Sequence, residues 1–187
     1  MSVSQDRSMS HCHSHAVHFY TDLVSLGAHV AAYLSEGIQT GEAVFAIATR
    51  EVHYEIKQYL QMSIPQLETM SNYKTLDADE LLSTFLVNAQ PDRSKFFEAM
   101  DRIFAKPAGS GRSIRVYGEM VVRLWHAGQP EAALQLEDFW NLLAERYNFS
   151  LLCAYPMSLF DRQHIQWFLN ICATHSQLSA NSGIRCR

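Results

Sequence analysis

Apolar positions along the chain follow two periods, one helical and one extended, that alternate. From Asp22 to Glu36, Leu23, Leu26, Val30 and Leu34 recur at helical spacing, with Thr21 or Asp22 placed to cap the first turn and Gly37 to end it. After Gly41-Glu42 the run AVFAIAT is apolar without alternation, the pattern of a strand covered on both faces of a parallel sheet. A helix over about residues 51 to 61 follows, with Val52, Ile56, Tyr59 and Leu60 on one side.

The segment YKTLDA then predicts a second strand, running into the helix DELLSTFLV with Asp77 or Asp79 as its cap. Gln90-Pro91-Asp92 breaks the pattern, and Asp92 caps a helix carrying Phe96, Phe97, Met100, Ile103 and Phe104 that ends at PAGSGR. SIRVYGEM gives a third strand leading into a helix from Met120 to Trp125, and Gly128-Gln129-Pro130 separates this from a helix over about 131 to 147. FSLLCAYP gives a fourth strand, and Asp161 opens a last helix containing Ile165, Phe168, Leu169 and Cys172.

Alternating strands and helices predict an α/β, three-layer sandwich with a mainly parallel sheet. Ligands of such sheets settle at the carboxyl ends of the strands, which places the expected site near Thr49 and Arg50, Asp77, Tyr117 to Glu119, and Tyr155. Residues 1–15, rich in Ser and His, read as a flexible tail; 16–175 form the domain, with order beginning near His18, and 176–187 form a second tail.

Composition narrows the function classes. At 187 residues and 48% hydrophobic the chain has enough apolar material for one core, and its formal charge of −4 disfavours direct nucleic-acid binding. The four cysteines include no CxxC pair, and no apolar stretch reaches the roughly 20 residues of a membrane span, so a cytoplasmic, membrane-free protein is expected. Cys153, within FSLLCAY, reads as core.

Candidate chemistry is sparse. No GxxxxGK[ST], GxSxG or HExxH occurs, and AVFAIAT runs into Arg50-Glu51, where a carboxylate stands in place of a phosphate-binding glycine. Arg50 has a planar fork suited to an anionic ligand, or is simply exposed in a helix first turn, with Thr49 as that helix's cap. Gly118 gives a sharp strand exit that presents Glu119, a ligand contact or a carboxylate complementing a helix N-terminus. Arg115 and Tyr117 share a strand face by period two, and an Arg on a buried strand needs an acidic partner: Glu119, Glu42 or Glu137. His18 and Tyr20, two apart on an extended segment, face the same way and, with Tyr155, are expected to line a pocket, or else form a half-buried core edge. The His11-Cys12-His13-Ser14-His15 cluster carries soft donors but lacks a second ligand set at finger-like spacing, so it is assigned no metal site.

His18-Phe19-Tyr20, EGIQTGEAVFAIAT, Arg115 with YGEM, Leu124-Trp125 before a Gly, LEDFW and SLLCAYP together resemble the MEDS domain family, a sensory family named for methanogen and methylotroph regulators, over about residues 16 to 170. The resemblance implies a RecA/KaiC-like fold without a functional P-loop, acting as an input module for a histidine kinase, phosphorelay or transcription regulator. With no room for an output domain in 187 residues, that partner is expected to be a separate polypeptide. The expected ligand is a small organic effector of unknown identity, held among His18, Tyr20, Glu42, Arg50, Arg115, Tyr117, Glu119 and Tyr155. No cofactor is assigned, and homo-oligomers are compatible. Two rivals stand beside this: a divergent ATPase using Arg50 and Glu119, and a protein-interaction module built on aromatic helices carrying Phe139 and Trp140.

Overall fold

The computed structural model describes residues 14–160 and 165–178; the tail assignments for 1–13 and 179–187 and the helix start at Asp161 lie outside the described residues. The elements are β1 (Ser14–Tyr20), α1 (Leu23–Thr40), β2 (Ala43–Ala48), α2 (Arg50–Ser63), β3 (Tyr73–Asp77), α3 (Ala78–Ser83), β4 (Leu86–Val87), β5 (Gln90–Pro91), α4 (Arg93–Gly109), β6 (Ile114–Gly118), α5 (Met120–His126), α6 (Pro130–Leu143), β7 (Phe149–Pro156), α7 (Ile165–Thr174) and β8 (Gln177–Leu178). Six of the strands form one sheet in the order β3-β2-β6-β7-β1-β8, every pairing parallel, and β4 and β5 form a separate hairpin. The α/β sandwich expected from the alternating periods is therefore present.

The direction of travel explains the layers. From β1 the chain moves one way across the sheet to β2 and β3, and then reverses through β6 and β7 to β8. With right-handed crossovers, a reversal moves the connecting helices to the opposite face. Leu26, Val30 and Leu34 of α1 and Val52, Ile56 and Leu60 of α2 accordingly pack with Val44, Ala46, Tyr117 and Leu152 on one face. Residues of α3 to α7, among them Phe96, Phe104, Val121, Leu136, Trp140 and Ile171, pack with Phe45, Val116, Leu151 and Cys153 on the other.

Several boundaries differ from the sequence expectation. Strand β1 already includes Ser14, ahead of the start expected near His18, and His15, assigned to the tail, is 1% exposed. Helix α1 runs past Gly37 to a left-handed Gly41 (φ 80°), whose N–H reaches the Gly37 and Ile38 carbonyls. Gly37 instead makes room for a side chain, since a Cβ there would lie 2.7 Å from Arg115 Cδ and Nε. The predicted helix DELLSTFLV stops at Ser83, and its apolar remainder becomes the β4–β5 hairpin, turned at Asn88 (φ 50°) and Ala89 (φ 63°). Phe139 and Trp140, from the aromatic helices, are 6% and 0% exposed and belong to the core. No helix of the described residues is long and apolar enough to cross a membrane.

Candidate functional site

Strand ends whose connections leave toward opposite faces open a crevice between them. Strand β2 feeds α2 on one face while its neighbours β3 and β6 feed α3 and α5 on the other, so β2 has a crevice on each side.

Glu119 spans the crevice between β2 and β6. Its N–H continues the ladder by donating to Ile47 O at 2.9 Å, which fixes the backbone just past Gly118. Its carboxylate accepts from Thr49 N–H at 2.6 Å and from the Thr49 hydroxyl at 3.3 Å. Thr49 is thus the N-cap of α2 by position, but its side chain makes no capping bond; Glu119 supplies the acceptor. An internal carboxylate therefore occupies the start of α2, where a phosphate would otherwise meet backbone N–H groups. Burial pushes the Glu119 carboxyl above the ordinary glutamate value, against the pull of the two Thr49 bonds. Behind it, Tyr20 is pushed up to about 12 by burial and by the Glu119 charge, and the buried Tyr117 hydroxyl has no hydrogen-bond partner among the described residues.

Between α2 and the face of edge strand β3 that it covers lies a cleft of about 520 Å³, whose walls include Arg50, His53, Lys57, Tyr73, Thr75 and Asp77. Arg50 is exposed in the first turn of α2, and His53 is held by Nε2 against Leu76 O at 3.0 Å. Asp77 caps α3, accepting from the N–H groups of Asp79 and Glu80 at 2.9 Å each. A volume of this size falls within the usual range for small-molecule sites, and cationic, aromatic and hydroxyl groups converge on it.

Other expected site residues lie elsewhere. Arg115 and Glu42 pair at the amino edge of the sheet, about 13 Å along β6 from Glu119 at ordinary strand rise. Arg115 Nε and one terminal nitrogen donate to Glu42 at 2.7 and 3.1 Å, the other donates to Glu36 at 2.8 Å and Tyr33 O at 3.0 Å, and the guanidinium lies 4.7 Å from the Tyr33 ring centre. Burial opposes this charge, and the Glu42 and Glu36 carboxylates more than offset it. Of the three partners expected for Arg115, Glu42 is the one it meets; Glu119 and Glu137 are engaged with other groups. Tyr155 does not join His18 and Tyr20. In the β1–β7 register Phe19 sits beside Tyr155, so Tyr155 takes the opposite face from the two even-numbered residues. His18 stacks on His29 of α1, with ring centres 3.8 Å apart.

A cluster missed in the sequence lies on the Tyr155 face. Glu137, fully buried in α6, accepts from the Tyr155 hydroxyl at 2.7 Å and from the Cys153 thiol at 3.4 Å, and faces His15 Nε2 at 3.1 Å and His175 Nε2 at 3.4 Å. Burial pushes the Glu137 carboxyl up, but His175 and His15 outweigh it and hold the group far below the usual carboxylate range. Burial lowers His175 while Glu137 raises it, with a net rise, and burial and the Glu137 charge push the Cys153 thiol well up. One signal was present in the sequence: Glu137 falls between Ala133, Trp140 and Ala144 on the apolar stripe of its helix.

The family model described as the methanogen/methylotroph, DcmR sensory domain, MEDS, matches residues 14–176. No curated protein matches the chain.

Proposed function

The chain belongs to the MEDS family of sensory domains, and from this premise we propose that it holds a small organic effector in the Arg50–Asp77 cleft and relays its presence to a regulatory partner. A histidine kinase, a phosphorelay protein or a transcription regulator would suit that role. The seat of Glu119 carries the reading, because a carboxylate 2.6 Å from Thr49 N–H repels a phosphate from the start of α2. A RecA/KaiC-like ancestry with the phosphate loop lost accounts for both a parallel sheet and this filled anion seat. The proposal therefore includes no catalytic turnover.

The adjoining cleft suits a small effector. It lies between α2 and edge strand β3, is lined by Arg50 and His53 from α2 and by Asp77 from the α3 cap, and touches two helix starts at once. An effector bridging these groups would shift α2 relative to α3, which is the displacement available for a partner to read.

A thermal-shift screen against small alcohols, acids, amines and halogenated compounds tests this. A ligand at about 100 times its Kd stabilises the native state by about 2.7 kcal/mol, or roughly 5 to 10 °C for a chain of this size. The expected result is such a shift from a small organic compound, lost in Arg50→Ala or His53→Ala. A shift unchanged in both variants would place the effector elsewhere, and no shift from any compound would favour a relay that reads protein contacts alone.

A further inference from the structure

Four donor atoms from four separate segments converge within the layer of α5 to α7. His15 comes from β1, Glu137 from α6, Cys153 from β7 and His175 from just after α7; one ligand atom of each lies within 4.8 Å of all the others. All four residues are buried, at 1%, 0%, 0% and 7% exposure.

The surrounding hydrogen bonds place a proton on Nδ1 of both imidazoles. Asn141 Nδ2 donates to Thr174 O at 3.0 Å, so its Oδ1 faces His15 Nδ1 at 2.8 Å as an acceptor, and that nitrogen must carry the proton. His175 Nδ1 lies 2.6 Å from the Ile171 carbonyl, which only accepts, so it is a donor as well. Both Nε2 atoms are left to face Glu137 and Cys153. Among the described residues, His175 Nε2 is buried without a hydrogen-bond partner, although Glu137 Oε1 lies only 3.4 Å away. An acceptor bonded to the far nitrogen of each ligating imidazole is the usual arrangement in metal sites.

The spacing of His15, Glu137 and Cys153, and the donor types of all four residues, agree with this arrangement. A tetrahedral ion with bonds of about 2.0 to 2.3 Å sets its ligands about 3.3 to 3.8 Å apart. Glu137 Oε2 is 3.1 Å from His15 Nε2 and 3.4 Å from Cys153 Sγ, and Cys153 Sγ is 3.5 Å from His15 Nε2. Two imidazoles, a carboxylate and a thiol suit zinc-class ions, while magnesium and calcium prefer all-oxygen shells. The Tyr155 hydroxyl, 2.7 Å from Glu137 Oε1, would orient the carboxylate ligand.

We propose that His15, Glu137, Cys153 and His175 form a closed, four-coordinate site for one divalent transition-metal ion of the zinc class. On binding, the ion displaces the thiol proton and any imidazolium proton, and the thiolate and carboxylate together balance its charge. With four protein ligands and no open position the site is structural, tying the segment after α7 to β1 and β7. It stands on these four residues alone, independently of the effector cleft on the far side of the sheet.

Zinc retention and cobalt spectroscopy on the full chain test the site. A control carrying His11→Ala, Cys12→Ala and His13→Ala removes the N-terminal donors. After chelator stripping and addition of Zn²⁺, both wild type and control are expected to retain one ion per chain through gel filtration and to melt at higher temperature. Glu137→Gln is expected to abolish retention, and Asn141→Ala to weaken binding about 10- to 100-fold. If Glu137→Gln does not fold, Co²⁺ added to the control decides. The proposal expects intense visible bands of a four-coordinate ion with a near-ultraviolet thiolate-to-cobalt band, the latter lost in Cys153→Ser. A control that retains no zinc and shows no thiolate-to-cobalt band overturns the proposal, as does a thiolate band that survives Cys153→Ser.

Discussion

Glu119 shows how one side chain can set the chemistry of a strand end. The residue is 6% exposed, its carboxylate is satisfied by Thr49, and burial together with its charge raises the Tyr20 and Tyr117 hydroxyl pKa values. Because its own pKa is raised on folding, the native state holds this proton more tightly than the unfolded chain does. The group's contribution to stability is thus fully present below the ordinary glutamate range and declines as pH rises through the folded pKa. Gln at this position still accepts from Thr49 N–H but does not titrate. Urea denaturation across a pH series is therefore expected to show wild type losing stability relative to Glu119→Gln as pH rises from about 4.5. A wild type that gains on the variant over that range would show that the Thr49 bonds outweigh burial.

Much of the site was legible at this scale by type but not by place. That Arg115 needs an acidic partner follows from its position on a buried strand; that the partner is Glu42 depends on α1 extending past Gly37, so that the start of β2 lies beside it. Glu137 was visible as an acid on an apolar helical stripe. Its partners His15 and His175 were hidden because His15 lies in the polar run assigned to the N-terminal tail and His175 is the last domain position, where the polar C-terminal run begins.

At the scale of elements, uninterrupted apolar strands and capped helices could be read directly. Asp22, Asp77 and Asp92 cap α1, α3 and α4 through their carboxylates. Strand β1 was harder to recognise, since Ser14, His15 and His18 dilute its apolar pattern and its burial comes from neighbours β7 and β8. The β4–β5 hairpin was read as helix because Phe85, Leu86 and Val87 continue an apolar run, and strands of two residues carry no period. Its turn places Ala89 in the left-handed region, where a Cβ is strained and glycine is not. Ala89→Gly is expected to raise unfolding free energy by about 0.5 to 1 kcal/mol in urea denaturation. A loss of stability would mean that the Ala89 methyl contributes packing worth more than the backbone strain.

At the scale of the whole molecule, reversal of the sheet crossing divides the candidate chemistry in two. The strand-end cleft at Arg50, His53 and Asp77 is open to solvent, while the His15–Glu137–Cys153–His175 cluster is sealed on the opposite face between α6, β1 and β7. That separation suits a sensor in which one region takes up a ligand and another fixes the frame against which movement is read. Hydropathy could announce a parallel sheet, but not which strands adjoin, because the crossover from β1 to β2 passes over β7 and β6. The register of the adjacent strands β1 and β7, which sets Phe19 beside Tyr155, is what turns Tyr155 away from His18 and Tyr20.

The most direct test of a sensor whose anion seat is filled from within is phosphate release from MgATP, measured on wild type and Glu119→Gln together with the melting temperature of each. The account predicts no release above background from either protein and no rise in the wild-type melting temperature with MgATP. Sustained release by wild type that Glu119→Gln abolishes would contradict it and make Glu119 a catalytic residue of an ATPase.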